Sequence, residues 1–260
     1  MKKAHYIAVM GILSMGLTAP TMASDDDVQD MSDPLAVFTQ VGLGVTDKGL
    51  NIKVGKTYST GKEHVAGMNV LEVKGIAGEA LGWYEDEERL TDSVDSIRLR
   101  NFNANIMNGR GSQLDLSYDL NSEFGSISYS LIQALPKLGP VQFFPLAGIG
   151  AAFGNNVVGD DGDVISGYSV PGTFALAGTY TKIVLTDKIW LNYNPMYMKT
   201  LSGSQWYKEH GFENNEDVLN HEFAISYQIS PRFNVRYFAN WTENTDFSDG
   251  DHRIEFNYQL

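Results

Sequence analysis

Strict alternation of apolar and polar residues along many short segments is the feature that most limits how this chain can fold. Segments of about 8 to 14 residues recur from Leu35 onward, and turn residues separate them. A period of two indicates β-strands with one apolar and one polar face, because successive side chains of a strand point to opposite sides. About twelve strands are predicted, at 35–46, 49–58, 67–84, 95–107, 111–121, 124–135, 140–153, 170–185, 188–201, 217–229, 232–242 and 252–260.

The connections between these segments alternate in length. Short turns fall at 108–111, 136–140, 186–188 and 230–232. Longer, mostly acidic loops fall between them at 85–94, 154–169, 202–216 and 243–251. Short turns on one side and long loops on the other are typical of a membrane barrel, whereas a soluble sandwich has no reason to keep this order. The sequence therefore predicts an all-β fold, an antiparallel up-and-down transmembrane barrel of about twelve strands.

A few positions do not follow this scheme. The connections at 47–49 and 121–123 are short on the side of the long loops, and a count of ten strands also fits. Pro145 and Pro195 fall inside predicted strands, and we expect them at bulges or strand ends because proline cannot donate to the ladder. If Arg98 and Arg100 point inward, the apolar phase breaks at Phe102, and a bulge near Arg100 would restore it. The alternative is that both arginines point outward and contact lipopolysaccharide phosphates.

The N-terminal part of the chain is predicted to direct export. Residues 1–23 combine Lys2 and Lys3 with a short apolar run and small residues, the pattern of a cleaved secretory signal peptide. Residues 24–34 are expected to form a flexible acidic leader, and residues 35–260 the barrel. Removing Lys2 and Lys3 from the 19 basic residues leaves 17 against 32 acidic ones, a net charge of about −15. A chain so acidic is not expected to bind nucleic acid.

The last segment shows most clearly how the faces are assigned. Ile254, Phe256, Tyr258 and Leu260 alternate with polar residues, so the apolar set is predicted to face lipid and the polar set the lumen. The same rule applied to the other strands predicts a group of charged residues that face the lumen. This group consists of Lys53, Asp115, Asp119, Glu222, Arg236, Arg253 and Glu255.

The sequence of this segment, Ile254-Glu255-Phe256-Asn257-Tyr258-Gln259-Leu260, resembles the C-terminal assembly signal of Gram-negative outer-membrane β-barrel proteins. Leu260 stands where phenylalanine is usual in that signal. The resemblance implies an outer-membrane location, contact with lipid and lipopolysaccharide, and recognition by the barrel assembly machinery. In strand number the chain is similar to nucleoside channels and autotransporter translocators. We expect a monomer.

The predicted function is that of a porin-like channel for small polar solutes, or of a structural surface barrel. In a channel the lumen-facing charges would set ion preference, whereas in a structural barrel they would pair and close the lumen. One alternative is an outer-membrane enzyme that acts on lipid or peptide at the extracellular rim. Another is a soluble secreted β-sandwich that binds a ligand.

No catalytic residue, metal site or cofactor is predicted. No HExxH motif occurs, and Ser226 falls on the opposite strand face from His221, so the two do not form a nucleophile–base pair. The acidic stretches at 160–163 and 246–251 do not match the ligand spacing of an EF-hand. Histidines such as His210 and His252, beside acidic residues in predicted loops, are expected to be surface residues.

Overall fold

The computed structural model describes residues 28–46, 48–78 and 94–260. This part of the chain forms one antiparallel sheet of thirteen strands. They are β1 (Gln40–Thr46), β2 (Gly49–Ser59), β3 (Val65–Ile76), β4 (Ser96–Asn105), β5 (Arg110–Asp119), β6 (Phe124–Gln133), β7 (Val141–Val158), β8 (Val164–Val184), β9 (Ile189–Tyr193), β10 (Met196–Gly203), β11 (Asp217–Ser230), β12 (Phe233–Thr242) and β13 (Asp251–Gln259). The predicted signal peptide, residues 24–27 and most of the predicted loop 85–94 lie outside the described residues.

The sheet closes on itself. Successive strands pair along the chain, and β1 pairs with β13 from Gln40 opposite Gln259 to Thr46 opposite Arg253. β9 and β10 together fill one place in the sheet, since each pairs with both β8 and β11. The barrel therefore has twelve strand positions, which confirms the predicted fold and count. Closure leaves no unpaired edge among the described strands, as a chain surrounded by lipid requires.

The first residue of β1, Gln40, lies opposite the last residue of β13, Gln259, at one end of the barrel. We call this the terminal end, and we call the opposite end the loop end. Short turns connect strands at the terminal end, as at 106–109, 185–188 and 231–232. The loop end carries the connection 204–216, with helix α1 (Gln205–His210), and the connection 243–250, with a 3-10 turn (Phe247–Asp249). In an outer-membrane barrel the terminal end faces the periplasm.

The predicted long loop at 154–169 is wrong. β7 continues to Val158 and β8 begins at Val164, so both strands extend beyond their neighbours in the sheet. Only a turn at 159–163 connects them. Tyr168, on this extension, shares a hydrogen bond of 2.6 Å between hydroxyls with Tyr118 of β5, and the Tyr118 ring stacks on Phe153. These aromatic contacts attach the extended hairpin to the barrel wall, and they were not evident from the polar character of the segment.

The two prolines lie where the ladder is interrupted or has ended. Pro195 lies between β9 and β10, at the break that the prediction anticipated. Pro145 lies within β7, beyond the last pair that joins β7 to β6, Ile132 opposite Leu146. The β7–β8 register is continuous through Pro145, so there is no bulge at this residue.

The predicted bulge near Arg100 is also wrong. β4 keeps an unbroken register with β3 and β5 from Ser96 to Asn105. Phe102 therefore lies on the same face as Arg100, whose guanidinium carbon is 5.5 Å from the centre of the Phe102 ring. The apparent break in phase arises because the interior of this barrel accepts apolar side chains as well as charged ones.

The outer surface carries the apolar belt that lipid requires. Ile254, Phe256, Tyr258 and Leu260 are each between 42% and 49% exposed, while their neighbours Glu255, Asn257 and Gln259 are buried. Exposed apolar side chains of the same kind occur on many other strands, among them Leu43, Val54, Leu71, Leu99, Leu114, Leu131, Ile149 and Ile225. A belt of this extent is too large for the surface of a soluble monomer. Among the described residues, no helix has the length and apolar character needed to cross a membrane.

Candidate functional site

One side of the barrel interior carries a continuous set of charged residues, which we call the charged arc. It runs over neighbouring strands from β12 and β13, past the small inward residues of β1, to β2 through β5. Its members are Lys53, Glu72, Lys74, Arg98, Arg100, Asp115, Arg236, Arg253 and Glu255. Members on the same strand are two residues apart and therefore share the inward face. The single members of β2, β5 and β12 lie directly opposite an arc residue of a neighbouring strand.

Most members of the charged arc form ion pairs between different strands. Arg98 binds Asp115 through two hydrogen bonds, of 2.9 Å from Nε and 2.5 Å from a terminal nitrogen. Arg100 donates to Glu72 at 2.8 Å, and Lys53 forms an ion pair with Glu255. Ion pairs shielded from bulk water need such geometry, because removing charges from water costs more than a loose contact returns.

Arg236 and Arg253 both lie against one aromatic ring, that of Phe238. Their guanidinium carbons are 4.6 Å and 4.3 Å from the centre of the Phe238 ring, within cation–π distance. Arg236 donates to Ser226 at 2.9 Å and to Asn192 at 2.7 Å, although Glu255 is its register partner. Arg253 makes a longer contact of 3.5 Å between its Nε and a Glu255 oxygen. The Phe238 ring therefore contacts both arginines, and the Nε atom of Arg253 is buried without a hydrogen bond.

The other side of the interior is apolar, and we call it the apolar wall. Its buried residues are Ile132, Phe144, Leu146, Phe174 and Leu176 of β6 to β8. Met196 and Met198 of β10 pack against them, and so do Leu35 and Phe212 from the two barrel ends. Gly150 provides the space for this packing, since a Cβ there would lie 2.4 Å from the Phe174 ring. The sequence prediction of a polar lumen did not include this wall.

Helix α1 covers the apolar wall at the loop end. Ser204 caps the helix by accepting a hydrogen bond of 3.1 Å from the Tyr207 amide. The Tyr207 side chain is buried against Gly172 and Phe212. Burial raises the pKa of the Tyr207 hydroxyl to about 12, so this side chain stays neutral.

The charged arc borders a cavity of about 590 Å³, which lies within the size range of small-molecule sites. Lys74, Arg100 and Arg253 line it on the charged side, and Met196 and Met198 line it on the other. A second cavity of about 260 Å³ lies towards the loop end, beneath Tyr207, and shares Met198 with the first.

Residues 28–39, which we call the N-terminal segment, lie inside the barrel at its terminal end. Asp30 forms an ion pair of 2.6 Å with Lys182, and Met31 is buried with its sulfur 3.4 Å from the Gln228 amide nitrogen. Residues 28–34 were predicted as part of a flexible leader, but Asp30 and Met31 contact inward-facing side chains of the barrel strands. Burial raises the pKa of the Asp30 carboxyl, but the hydrogen bonds from Lys182 and Ser32 outweigh it and hold that pKa below its ordinary value.

The structure brings together five of the seven charged residues that the sequence assigned to the lumen. Lys53, Asp115, Arg236, Arg253 and Glu255 all belong to the charged arc. Glu222 borders the same cavity and accepts a hydrogen bond of 2.6 Å from Asn194. Asp119 is apart from them, because it accepts hydrogen bonds of 2.8 Å from the Ser122 amide and hydroxyl in the β5–β6 turn. The role of these charges in ion preference remains a prediction.

The predicted group of lumen-facing charges did not contain Glu72 and Lys74 of the arc. Arg98 and Arg100 were considered for the lumen but were not included in that group. The signal for the first two was present, because Glu72 and Lys74 alternate with Leu71 and Val73 along β3. This strand also contains Gly67 and Gly75, which weaken its apolar pattern.

Three of the described histidines, His210, His221 and His252, stack on aromatic side chains, and their hydrogen bonds involve tyrosine hydroxyls or a backbone carbonyl. His221 Nδ1 lies 2.8 Å from the Tyr193 hydroxyl, and the His221 ring stacks on Trp241. His252 Nδ1 lies 2.8 Å from the Tyr237 hydroxyl, and His210 stacks on Trp206. Among residues 28–46, 48–78 and 94–260, no three His, Asp or Glu side chains gather as metal ligands would. The role of Ile254, Phe256, Tyr258 and Leu260 in assembly likewise remains a prediction.

No protein-family model matches this sequence, and no curated protein does. Among solved structures, the NanC porin is similar with a TM-score of 0.52 and 8% identity, over 86% of this chain and 100% of that one. The translocator domain of autotransporter NalP from Neisseria meningitidis has a TM-score of 0.47 and 12% identity, over 85% and 86%. The KdgM porin has a TM-score of 0.45 and 8% identity, over 86% and 99%. The closed barrel, its apolar outer belt and the likeness to the NanC porin show that this chain has the fold of bacterial outer-membrane β-barrels.

Proposed function

We propose that this protein is a passive channel for small polar solutes in the outer membrane. The observation that carries the proposal is the cavity inside the closed barrel, bordered by the charged arc. A structural barrel would gain stability by filling its interior with apolar side chains, as the apolar wall does on its own side. The charged arc instead maintains a polar space along the barrel axis, and that space suits a solute pathway.

The N-terminal segment narrows the pathway at the terminal end through contacts such as Asp30 with Lys182. Planar-bilayer recording of the refolded protein tests the proposal. We expect discrete conductance steps, and larger steps from a variant that lacks residues 28–34. If neither protein produces steps while circular dichroism shows an intact barrel, the channel proposal is wrong and a structural role takes its place.

We propose further that the protein is not an enzyme. His210, His221 and His252 contact aromatic side chains in place of a nucleophile, which supports this. Lipase and protease assays on the wild type should show no turnover. Activity that disappears when the three histidines are replaced together by alanine would contradict the proposal.

The remaining partners follow from the membrane location and are proposals as well. We propose that residues 1–23 are removed on export and that the barrel assembly machinery recognises residues 254–260. We also propose that the barrel works as a monomer in contact with lipopolysaccharide. Replacing Phe256 and Tyr258 together by aspartate should reduce the amount of folded protein in the outer membrane. Unchanged levels would remove this segment from the assembly step.

A further inference from the structure

Three cations of the charged arc have donor groups without a hydrogen-bond acceptor in the part of the chain that the structure describes. The Nε atoms of Arg100 and Arg253 are buried without a hydrogen-bond partner, and the Arg253 Nε has only the 3.5 Å ionic contact with Glu255. Among the described residues, the Lys74 ammonium has neither a hydrogen bond nor a salt bridge. A buried donor without an acceptor costs stability. Such donors beside a cavity point to a ligand that accepts hydrogen bonds from them.

The charge balance of the arc favours an anion. Each of its three carboxylates is engaged by a cation: Glu72 by Arg100, Asp115 by Arg98 and Glu255 by Lys53. The charge of Lys74 is repelled by those of Arg98, Arg100 and Arg253 and attracted by that of Glu72. The arc therefore carries an excess of positive charge on its own side of the cavity, whose lining also includes Asp33, Glu222 and Asp251, in a protein whose formal net charge is −13. An entering anion would relieve the repulsion.

We propose that Lys74, Arg100 and Arg253, the cation triad, bind the carboxylate of a small organic acid that has an apolar body. Arginine suits this task because its planar fork can bind both oxygens of a carboxylate. The apolar body is inferred from the side chains that line the same cavity, Phe102, Met196 and Met198. This inference deepens the proposed channel function by naming the class of solute.

Equilibrium binding to the refolded protein in detergent tests the inference without any need for conduction. Benzoate, inorganic phosphate and benzyl alcohol are the probes, measured by isothermal titration calorimetry. We expect benzoate to bind more tightly than either of the others, because only benzoate combines a carboxylate with a ring. Lys74→Gln and Arg253→Gln should each weaken benzoate binding about tenfold, the loss typical for one charged hydrogen-bond donor.

Lys199→Gln is the matched control, since Lys199 is exposed and pairs with Glu216 outside the cavity. This variant should bind benzoate like the wild type. Lys74→Gln removes no hydrogen bond from the protein, so it keeps the test valid if Arg253→Gln fails to fold. Phosphate binding as tight as that of benzoate would contradict the inference that the ligand has an apolar body. Benzyl alcohol binding as tight as that of benzoate would contradict the inference that the ligand has a carboxylate. Absence of benzoate binding, or unchanged binding in folded Lys74→Gln, would overturn the cation triad.

The channel proposal and the triad proposal can fail separately. Conductance steps without benzoate binding would leave a channel with a different solute class. Benzoate binding without conductance would leave a barrel that binds organic anions and does not transport them. In a conducting barrel, the triad also predicts a preference for chloride over potassium that Lys74→Gln reduces, measured as the reversal potential in a salt gradient.

Discussion

The charged arc and the apolar wall face each other inside the same barrel and show two ways to fill the interior of a closed sheet. The apolar wall packs Phe144, Phe174 and their neighbours into a continuous core. The charged arc pairs most of its groups across strands and leaves a cavity beside them. The comparison teaches that stability and a solute pathway can be assigned to different sides of one barrel.

The largest effect is expected on the apolar wall. Phe144 is 1% exposed and packs within the buried cluster, so Phe144→Ala should lower the free energy of unfolding by about 4 kcal/mol through lost burial and a new cavity. Urea unfolding of the protein in lipid vesicles measures this loss. Phe143→Ala is the control, because Phe143 points outward and lipid can fill the space that it leaves. Equal losses for the two variants would contradict the assignment of the core to this wall.

A smaller but still large effect is expected on the charged arc. Glu255→Gln should cost about 3 kcal/mol, because Lys53 and Arg253 lose their carboxylate while they remain buried. The double variant Lys53→Met, Glu255→Gln should recover part of this loss, since it removes one of the uncompensated charges. The same unfolding measurement compares the two. A double variant no more stable than Glu255→Gln would show that the ion pair is not what holds this side together.

The cover of the apolar wall should respond more weakly. Ser204→Ala removes the hydrogen bond to the Tyr207 amide and should destabilise helix α1 by about 1 kcal/mol. Hydrogen exchange at residues 205–210 should then become several times faster, while exchange in β6 to β8 stays unchanged. Faster exchange in those strands as well would mean that α1 and the apolar wall open as one unit.

The smallest effect concerns pH and the N-terminal segment. The lowered pKa of Asp30 means that its ion pair with Lys182 contributes fully above the ordinary carboxyl range and is lost as the pH falls through the lowered value. The contribution is small because the Asp30 side chain is 60% exposed. The chain has no cysteine, so a fluorophore at Gln29→Cys can report release of the segment. Release should begin only below about pH 4, and Asp30→Asn should abolish this pH dependence.

The strands and their outward faces could be predicted from the sequence because a period of two is a local property. β11 to β13 show this best, since all three were predicted within one or two residues. The polarity of the inward face could not be predicted, because alternation alone does not distinguish lipid from an apolar interior. Phe102 and Phe144 are the examples: each is aromatic, and each points inward. The contacts of the N-terminal segment depend on side chains distant in the sequence, such as Lys182, and left no local pattern.

The pairing of β1 with β13 has a consequence for the order of assembly. All other paired strands are close together in the chain, whereas this pair joins the first strand of the barrel to its last. Bringing such distant segments together costs about 3 kcal/mol more conformational entropy than forming a hairpin. We therefore expect this seam to form last, after the hairpins have assembled on one another. The N-terminal segment directly precedes β1, so it would enter the interior in the same step, and closure of the wall and narrowing of the pathway would be a single event.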